Sequence, residues 1–431
     1  MAKTTKLSIT TIVLLALLCS ALLLSALPTE IAHALSEDIQ KCWAAAQNFE
    51  DNLPTFIAEY NTMLSDEDEP FNATYIESTK LIRLVEDNNH AVLIDFDGDN
   101  GYLVLTGDNI IYGFETDGDA ADLLMQDELF YSYYDGFLYK NELGILQELG
   151  SSSVRNNDSY SGQTGNGDGA IFDLPSYVAA RYPGYTLDYI VNYLDFDFYC
   201  GTQQDLSYYQ LRQKNASGAW DNSYTPEGNC SLVAMYNVMR NWAQNGFINI
   251  PYATKVNIFP TITSDPLYNT YGRGIEFISD GITYKWETST STTLQFVPDV
   301  YIKLRNFAIN NYGYTPVSGF LANNAPATMQ TVAAQYGENL SISFTNLTAD
   351  ALASLDQDLA VYMSINGSSS YGDHAVAAMG YTRYKRQTTI GGFTSTDYLY
   401  FYEIADGIRK VPQYFDPNTS ANPSISYCVL N

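Results

Sequence analysis

The sequence predicts an α+β protein of two domains, and three observations carry that prediction. Apolar residues recur at helical spacing in the stretch that begins at Cys230, and a second helical run lies around 297–311. Strand-like runs of β-branched, apolar and aromatic residues then crowd the C-terminal part of the chain. Between these and a smaller upstream region lies "SSSVRNNDSYSGQTGNGDGA" (151–170), dense in Ser, Gly, Asn and Asp and without hydrophobic period, which reads as an exposed linker open to proteolysis. At 431 residues the chain has the length for two domains.

The N-terminus reads as a targeting segment. Lys3 and Lys6 precede an apolar run from Ile12 to Leu27, and Ala32-His33-Ala34 offers the small-x-small pattern of a signal-peptidase site. Residues 1–34 are therefore expected to be a cleaved secretory signal, with Pro28 and the cleavage pattern arguing against a stable membrane anchor. The mature protein is expected outside the cell.

Residues 35–150 are expected to form the smaller α+β domain. A helix is predicted over 36–63, followed by strands, with "HAVLIDF" (90–96) and "GYLVLTG" (101–107) joined as a hairpin through Asp97-Gly98-Asp99-Asn100. Asp95, Asp97 and Asp99 copy the first ligands of a calcium-binding loop. However, Asn100 stands where that loop needs glycine, and Thr106 where it needs a bidentate glutamate. No cofactor or metal site is read from the chain.

Residues 171–431 are expected to form the larger domain. A helical half (230–250 and 297–311) precedes a strand-rich half with "AVYMSI" (360–365), "HAVAAMGYTRY" (374–384), "DYLYFYEIA" (397–405) and "ISYCVL" (425–430). A helical lobe followed by an antiparallel sheet lobe leaves a cleft between the two. The net charge of -28 and the acidic surface it implies argue against nucleic acid or an anionic membrane as partner.

Four cysteines follow the signal: Cys42, Cys200, Cys230 and Cys428. They are too sparse for a disulfide scaffold, although Cys200 and Cys428 could form one bridge. Cys230 follows Gly228-Asn229 and opens a helix whose stripe is Leu232, Met235, Tyr236 and Met239, with Cys230 near the edge of that face. The first turn of a helix favours a thiolate, so Cys230 is the candidate nucleophile, with core packing as the competing role. Only His90 and His374 remain as bases after signal removal. His90 reads as a solvated loop residue. His374 opens an alternating, half-buried strand and is the better base. Asp406, at the end of the next strong strand, is the candidate to orient its imidazole, with Glu403 behind it. Asn222 is the candidate side-chain donor to an oxyanion, ahead of Asn229 and Gln213, and Trp220 could wall the cleft.

"WDN" (220–222), "GNCSLVAM" (228–235), "DHAVAAMGY" (373–381) and "ADGI" (405–408) together resemble secreted papain-like cysteine peptidases of the streptopain and bacteriocin-leader-peptidase type. Upstream, "GYLVLTGDNIIYGFETDGD" (101–119) is similar to the pro-region of streptopain-like zymogens. The resemblance implies a papain-like two-lobe fold and an N-terminal pro-domain acting as intramolecular inhibitor until the linker is cut. It implies Cys230 as nucleophile, His374 as general base and acid, Asn222 as oxyanion donor where the family usually has Gln, and Asp406 as the orienting residue. A protein or peptide would be the substrate. Two other functions fit the same residues: a transglutaminase-like acyl transferase, and an inactive Tyr-rich binding or adhesion protein on that scaffold.

Overall fold

A computed structural model describes residues 29–64, 69–85, 89–98, 100–116, 120–126, 128–132, 136–140, 146–148, 171–191, 200–206, 209–214, 216–219, 228–257, 276–279, 282–288, 296–314, 319–368, 371–419 and 423–431. The protein is α+β, with a mostly antiparallel arrangement of strands. It divides into two compact units, Met1–Ser151 with Lys385–Tyr398, and Ser152–Tyr384 with Leu399–Asn431. The range 171–431 expected for the larger domain is thus interrupted, because 385–398 belongs with the N-terminal residues.

In the first unit, helix α1 (Thr29–Asn61) precedes β1 (Ile76–Leu84), β2 (His90–Phe96), β3 (Tyr102–Thr106) and β4 (Ile110–Glu115). A short helix α2 (Ala121–Leu124) leads to β5 (Leu129–Ser132), β6 (Gly136–Lys140) and β7 (Leu146–Glu148). Strands β1 to β4 form an antiparallel meander, and β5 joins β1 in parallel. The β2–β3 hairpin pairs Asp95 with Tyr102. Asp97 in its turn accepts hydrogen bonds from the Thr74 N–H and hydroxyl and from the Tyr75 N–H, so its carboxylate serves the neighbouring chain. One face of α1 buries Trp43, Phe49, Leu53 and Phe56 against β2 and β3, in a core shared with Phe71, Phe96, Ile390 and Phe393. Burying one such side chain contributes roughly 1.5–3 kcal/mol.

His90 is buried rather than solvated. Asp38 on α1 accepts from both its backbone N–H (3.0 Å) and its Nδ1 (2.7 Å), which ties the start of β2 to the helix.

The second unit contains α3 (Leu174–Arg181), β8 (Thr186–Val191), α4 (Gln203–Leu206), β9 (Tyr209–Gln213) and the central helix α5 (Cys230–Gln244). Then come β10 (Lys255–Asn257), β11 (Glu276–Ser279), β12 (Ile282–Thr288), β13 (Phe296–Pro298), α6 (Asp299–Tyr312) and α7 (Ala325–Ala334). The chain ends with β14 (Ile342–Thr345), α8 (Thr348–Leu355), β15 (Val361–Ser368), β16 (Gly372–Ile390), β17 (Phe393–Ala405), β18 (Gln413–Phe415) and β19 (Ser424–Leu430). Its main strand order is β14-β19-β15-β16-β17, with β8 on β16 and β18 on β17. Two small sheets, β10-β13 and β11-β12-β9, stand apart from it.

Strand β16 is not half-buried as alternation suggests. Every residue from His374 to Thr382 is buried, with Ala375, Ala377 and Met379 packed in the core that also holds the buried residues of α5. The four described cysteines are all free, so Cys200 and Cys428 are not joined. Among the described residues no helix is long and apolar enough to cross a membrane. The predicted signal run Ile12–Leu27 and the linker 151–170 lie outside the described residues.

Candidate active site

Helix α5 begins at Cys230 because Asn229 (φ −108°, ψ 14°) leaves helical geometry while its carbonyl accepts the Val233 N–H at 2.9 Å. The Asn229 amide donates to the Tyr301 hydroxyl (2.7 Å) instead of capping the helix. The first amides of the helix are thereby left for the thiol. The backbone N–H groups of Ala375, Ser231 and Cys230 favour the thiolate form of Cys230.

The helix is buried all round from Cys230 to Met239, not only along one stripe, because α6, α7 and β15 all pack on it. Two of its buried polar residues dock it to backbone. Asn237 exchanges hydrogen bonds with Gly201 (3.1 and 3.2 Å), and Asn241 accepts from the Ala360 N–H (3.0 Å). Satisfied pairs of this kind fix the register of a buried helix as apolar contacts alone would not.

His374 lies opposite Ile365 in the β15–β16 ladder and is fully buried. Its Nε2 stands 2.6 Å from the backbone carbonyl of Asp406. A carbonyl only accepts, so Nε2 carries the proton and Nδ1 keeps its lone pair. Nδ1 is buried and has no hydrogen-bond partner among the described residues. The Tyr371 ring stacks on the imidazole at 5.6 Å between centroids and 10° between planes.

Burial pushes the His374 pKa down, opposed by the hydrogen bond and charge of Asp406. Burial likewise pushes the Cys230 thiol up to about 12, opposed by the surrounding N–H groups. Both directions describe a neutral thiol and a neutral imidazole, each buried, with Cys230 1% exposed.

Asp406 orients His374 by a different atom from the one expected. The carboxylate does not reach the ring, because it is committed to its own turn. Oδ1 accepts from the Ile408 and Arg409 N–H groups (2.8 Å each), and Oδ2 from Arg409 Nη1 (2.8 Å). Gly407, at φ +70°, completes the turn that aims the Asp406 carbonyl at the imidazole. Glu403 is buried on β17 and makes no described hydrogen bond to His374; burial pushes it up to about 7.

Among the oxyanion candidates, Asn222 lies outside the described residues, as does Trp220. Asn229 has its amide engaged by Tyr301 and Gln203, and Gln213 sits on β9 in a separate small sheet. Two neighbours escaped the sequence reading. Tyr371 stacks on the base, and Gln203 bridges the two halves of the site. The Gln203 N–H donates to the Gly407 carbonyl (2.7 Å), and its carbonyl accepts from Asn229 (3.5 Å). No local pattern marks either residue, since each reaches the site through tertiary packing.

Compared with protein-family models, curated proteins and solved structures, the chain matches none. The site is therefore interpreted from its own geometry.

That geometry separates two Cys–His neighbourhoods. In the first unit, Cys42 donates to the His90 carbonyl (3.1 Å) rather than to its ring, and Asp38 occupies His90 Nδ1. A cavity of about 290 Å³ beside it is lined by Glu37, Asp38, Lys41, His90 and Asp108 among others. Among the described residues, Cys230 is a helix-start thiol, and the His374 imidazole is anchored through Nε2 while its Nδ1 has no hydrogen-bond partner.

Proposed function

We propose that this chain is a secreted papain-like cysteine endopeptidase made as a zymogen, with residues 1–34 as signal and the N-terminal domain as intramolecular inhibitor. The observation that supports this reading is the buried Nδ1 of His374, without a hydrogen-bond partner among the described residues, whose Nε2 is anchored on Asp406, together with Cys230 buried at the start of α5. In this chemistry Nδ1 takes the Sγ proton and the thiolate attacks a peptide carbonyl. The amide C–N bond breaks as the leaving amine receives the proton from Nδ1. Water, deprotonated by Nδ1, then cleaves the thioester and restores the thiol. In this chemistry the amides at the start of α5 serve as donors to the oxyanion.

Closure of the site favours a second reading, a papain-like scaffold without activity. Cys230 and His374 are both buried, as residues of an inert core would be. Under the zymogen reading the same closure is the resting state before the linker is cut. Purified wild-type protein and its Cys230→Ala variant, each incubated with unstructured protein substrate after linker cleavage, separate the two. The peptidase reading requires hydrolysis by wild type and none by the variant; equal results for both overturn it.

A further inference from the structure

We propose that the tip of the β16–β17 hairpin is a docking element that holds the N-terminal segment on the rest of the protein after the chain is cut between residues 151 and 170. This inference does not depend on the peptidase reading.

Strands β16 and β17 begin and end in the second unit, but their joined ends, Lys385–Tyr398, belong to the first. Ile390 and Phe393 are buried in a core otherwise built from residues between Ile39 and Ile111. The Phe393 ring meets Phe49 edge-on at 5.0 Å and Phe56 at 6.5 Å. Main-chain pairing adds to this anchor. Thr394 and Ser395 run parallel to Ile110 and Ile111 on β4, and the Thr394 N–H donates to the Asn109 carbonyl at 3.2 Å. The Gly391 N–H donates to the Glu59 carboxylate.

The tip is also shaped for close approach. Gly391 (φ +57°) and Gly392 (φ +84°) give the two-residue turn that needs positive φ at both positions. A Cβ on Gly391 would lie 2.9 Å from the Phe56 Cα. Arg386 and Asp397 pair at 2.8 Å across the two strands. Strand addition combined with an aromatic anchor is a recurrent way for one polypeptide to bind another. Here the occupant is the chain's own segment from α1 to β4. The linker is therefore not the only bond between the N-terminal and C-terminal parts, and cutting it does not release the former.

The test places a site-specific protease sequence between 151 and 170 in a full chain carrying Cys230→Ala, which removes self-processing. After cutting under native conditions, both fragments are expected to co-elute in size-exclusion chromatography, and a Phe393→Asp chain cut in the same way is expected to give two separate species. Separation of the unsubstituted fragments, or co-elution of the Phe393→Asp fragments, overturns the proposal. Should Phe393→Asp fail to fold, hydrogen exchange on the cut, unsubstituted protein decides. Peptides covering 390–396 are expected to stay as protected as in the uncut chain. Loss of that protection while the fragments remain together places the tie elsewhere and also overturns the proposal.

Discussion

His374 Nε2 donates to the Asp406 backbone carbonyl at 2.6 Å, and the Asp406 carboxylate, fully buried, holds the turn that presents that carbonyl. An imidazole anchored on a carbonyl has one tautomer, whatever the protonation of the acid nearby. Its base is Nδ1 throughout.

Asp406 is accordingly a positioning residue whose carboxylate acts on the turn. Asp406→Asn keeps an oxygen for the Ile408 and Arg409 amides and is expected to cost on the order of 1 kcal/mol of stability. Arg409→Met leaves the buried carboxylate without its cation and is expected to cost roughly 3 kcal/mol or more. Urea denaturation of the two variants checks the order; equal losses would mean that the ion pair does not hold the turn.

Glu403 makes stability depend on pH. Its pKa, raised to about 7 by burial, exceeds its value in the unfolded chain, so the folded protein binds the extra proton between the two. The contribution is full below about pH 4.3 and is lost as pH rises through about 7, a change of roughly 3–4 kcal/mol. Glu403→Gln is expected to match wild type near pH 4 and to exceed it in melting temperature near pH 8. A constant difference at both pH values would contradict this assignment.

Gly391 cannot carry a side chain without cost. Its φ of +57° and the 2.9 Å approach to Phe56 predict that Gly391→Ala loses on the order of 1–3 kcal/mol. The same substitution at Gly392, where the Cβ would meet open space, is expected to lose less. Thermal melts of the two full-length variants give the comparison.

The free state of Cys42, Cys200, Cys230 and Cys428 predicts that all four are alkylated in denaturant without reductant. Two fewer would reveal a disulfide. In the native chain all four are buried, so labelling is expected to be slow for each.

Helices with strong period were legible in the sequence: α5 and α6 lie close to their predicted ranges, whereas α1 ends near its predicted end but starts at Thr29, within the segment read as the signal. So was the β2–β3 hairpin, whose turn residues announce it. Cys230 could be placed at a helix start and His374 on a strand because both are local patterns in the sequence. The orienting role of Asp406 was found but assigned to the wrong atom, since a backbone carbonyl leaves no mark in residue identity. His90 was misjudged because its partner, Asp38, comes from a helix 52 residues away. The extension of β16 and β17 past 384 and before 397 was missed although Gly391-Gly392 signals a turn. Its flanks are mostly polar, and the two apolar residues that mark it, Ile390 and Phe393, are buried in a core made by the other end of the chain.

The pH dependence of Cys230 alkylation in the full chain after linker cleavage, compared with the same chain carrying His374→Ala, tests the nucleophile assignment most directly. Near-ultraviolet circular dichroism would establish that both are folded, and peptide mapping would locate the label. A thiolate–imidazolium pair in an opened site predicts labelling that persists to about pH 5 and is lost in His374→Ala. Labelling that follows an ordinary thiol, and is unchanged without His374, would contradict it and return Cys230 to the core.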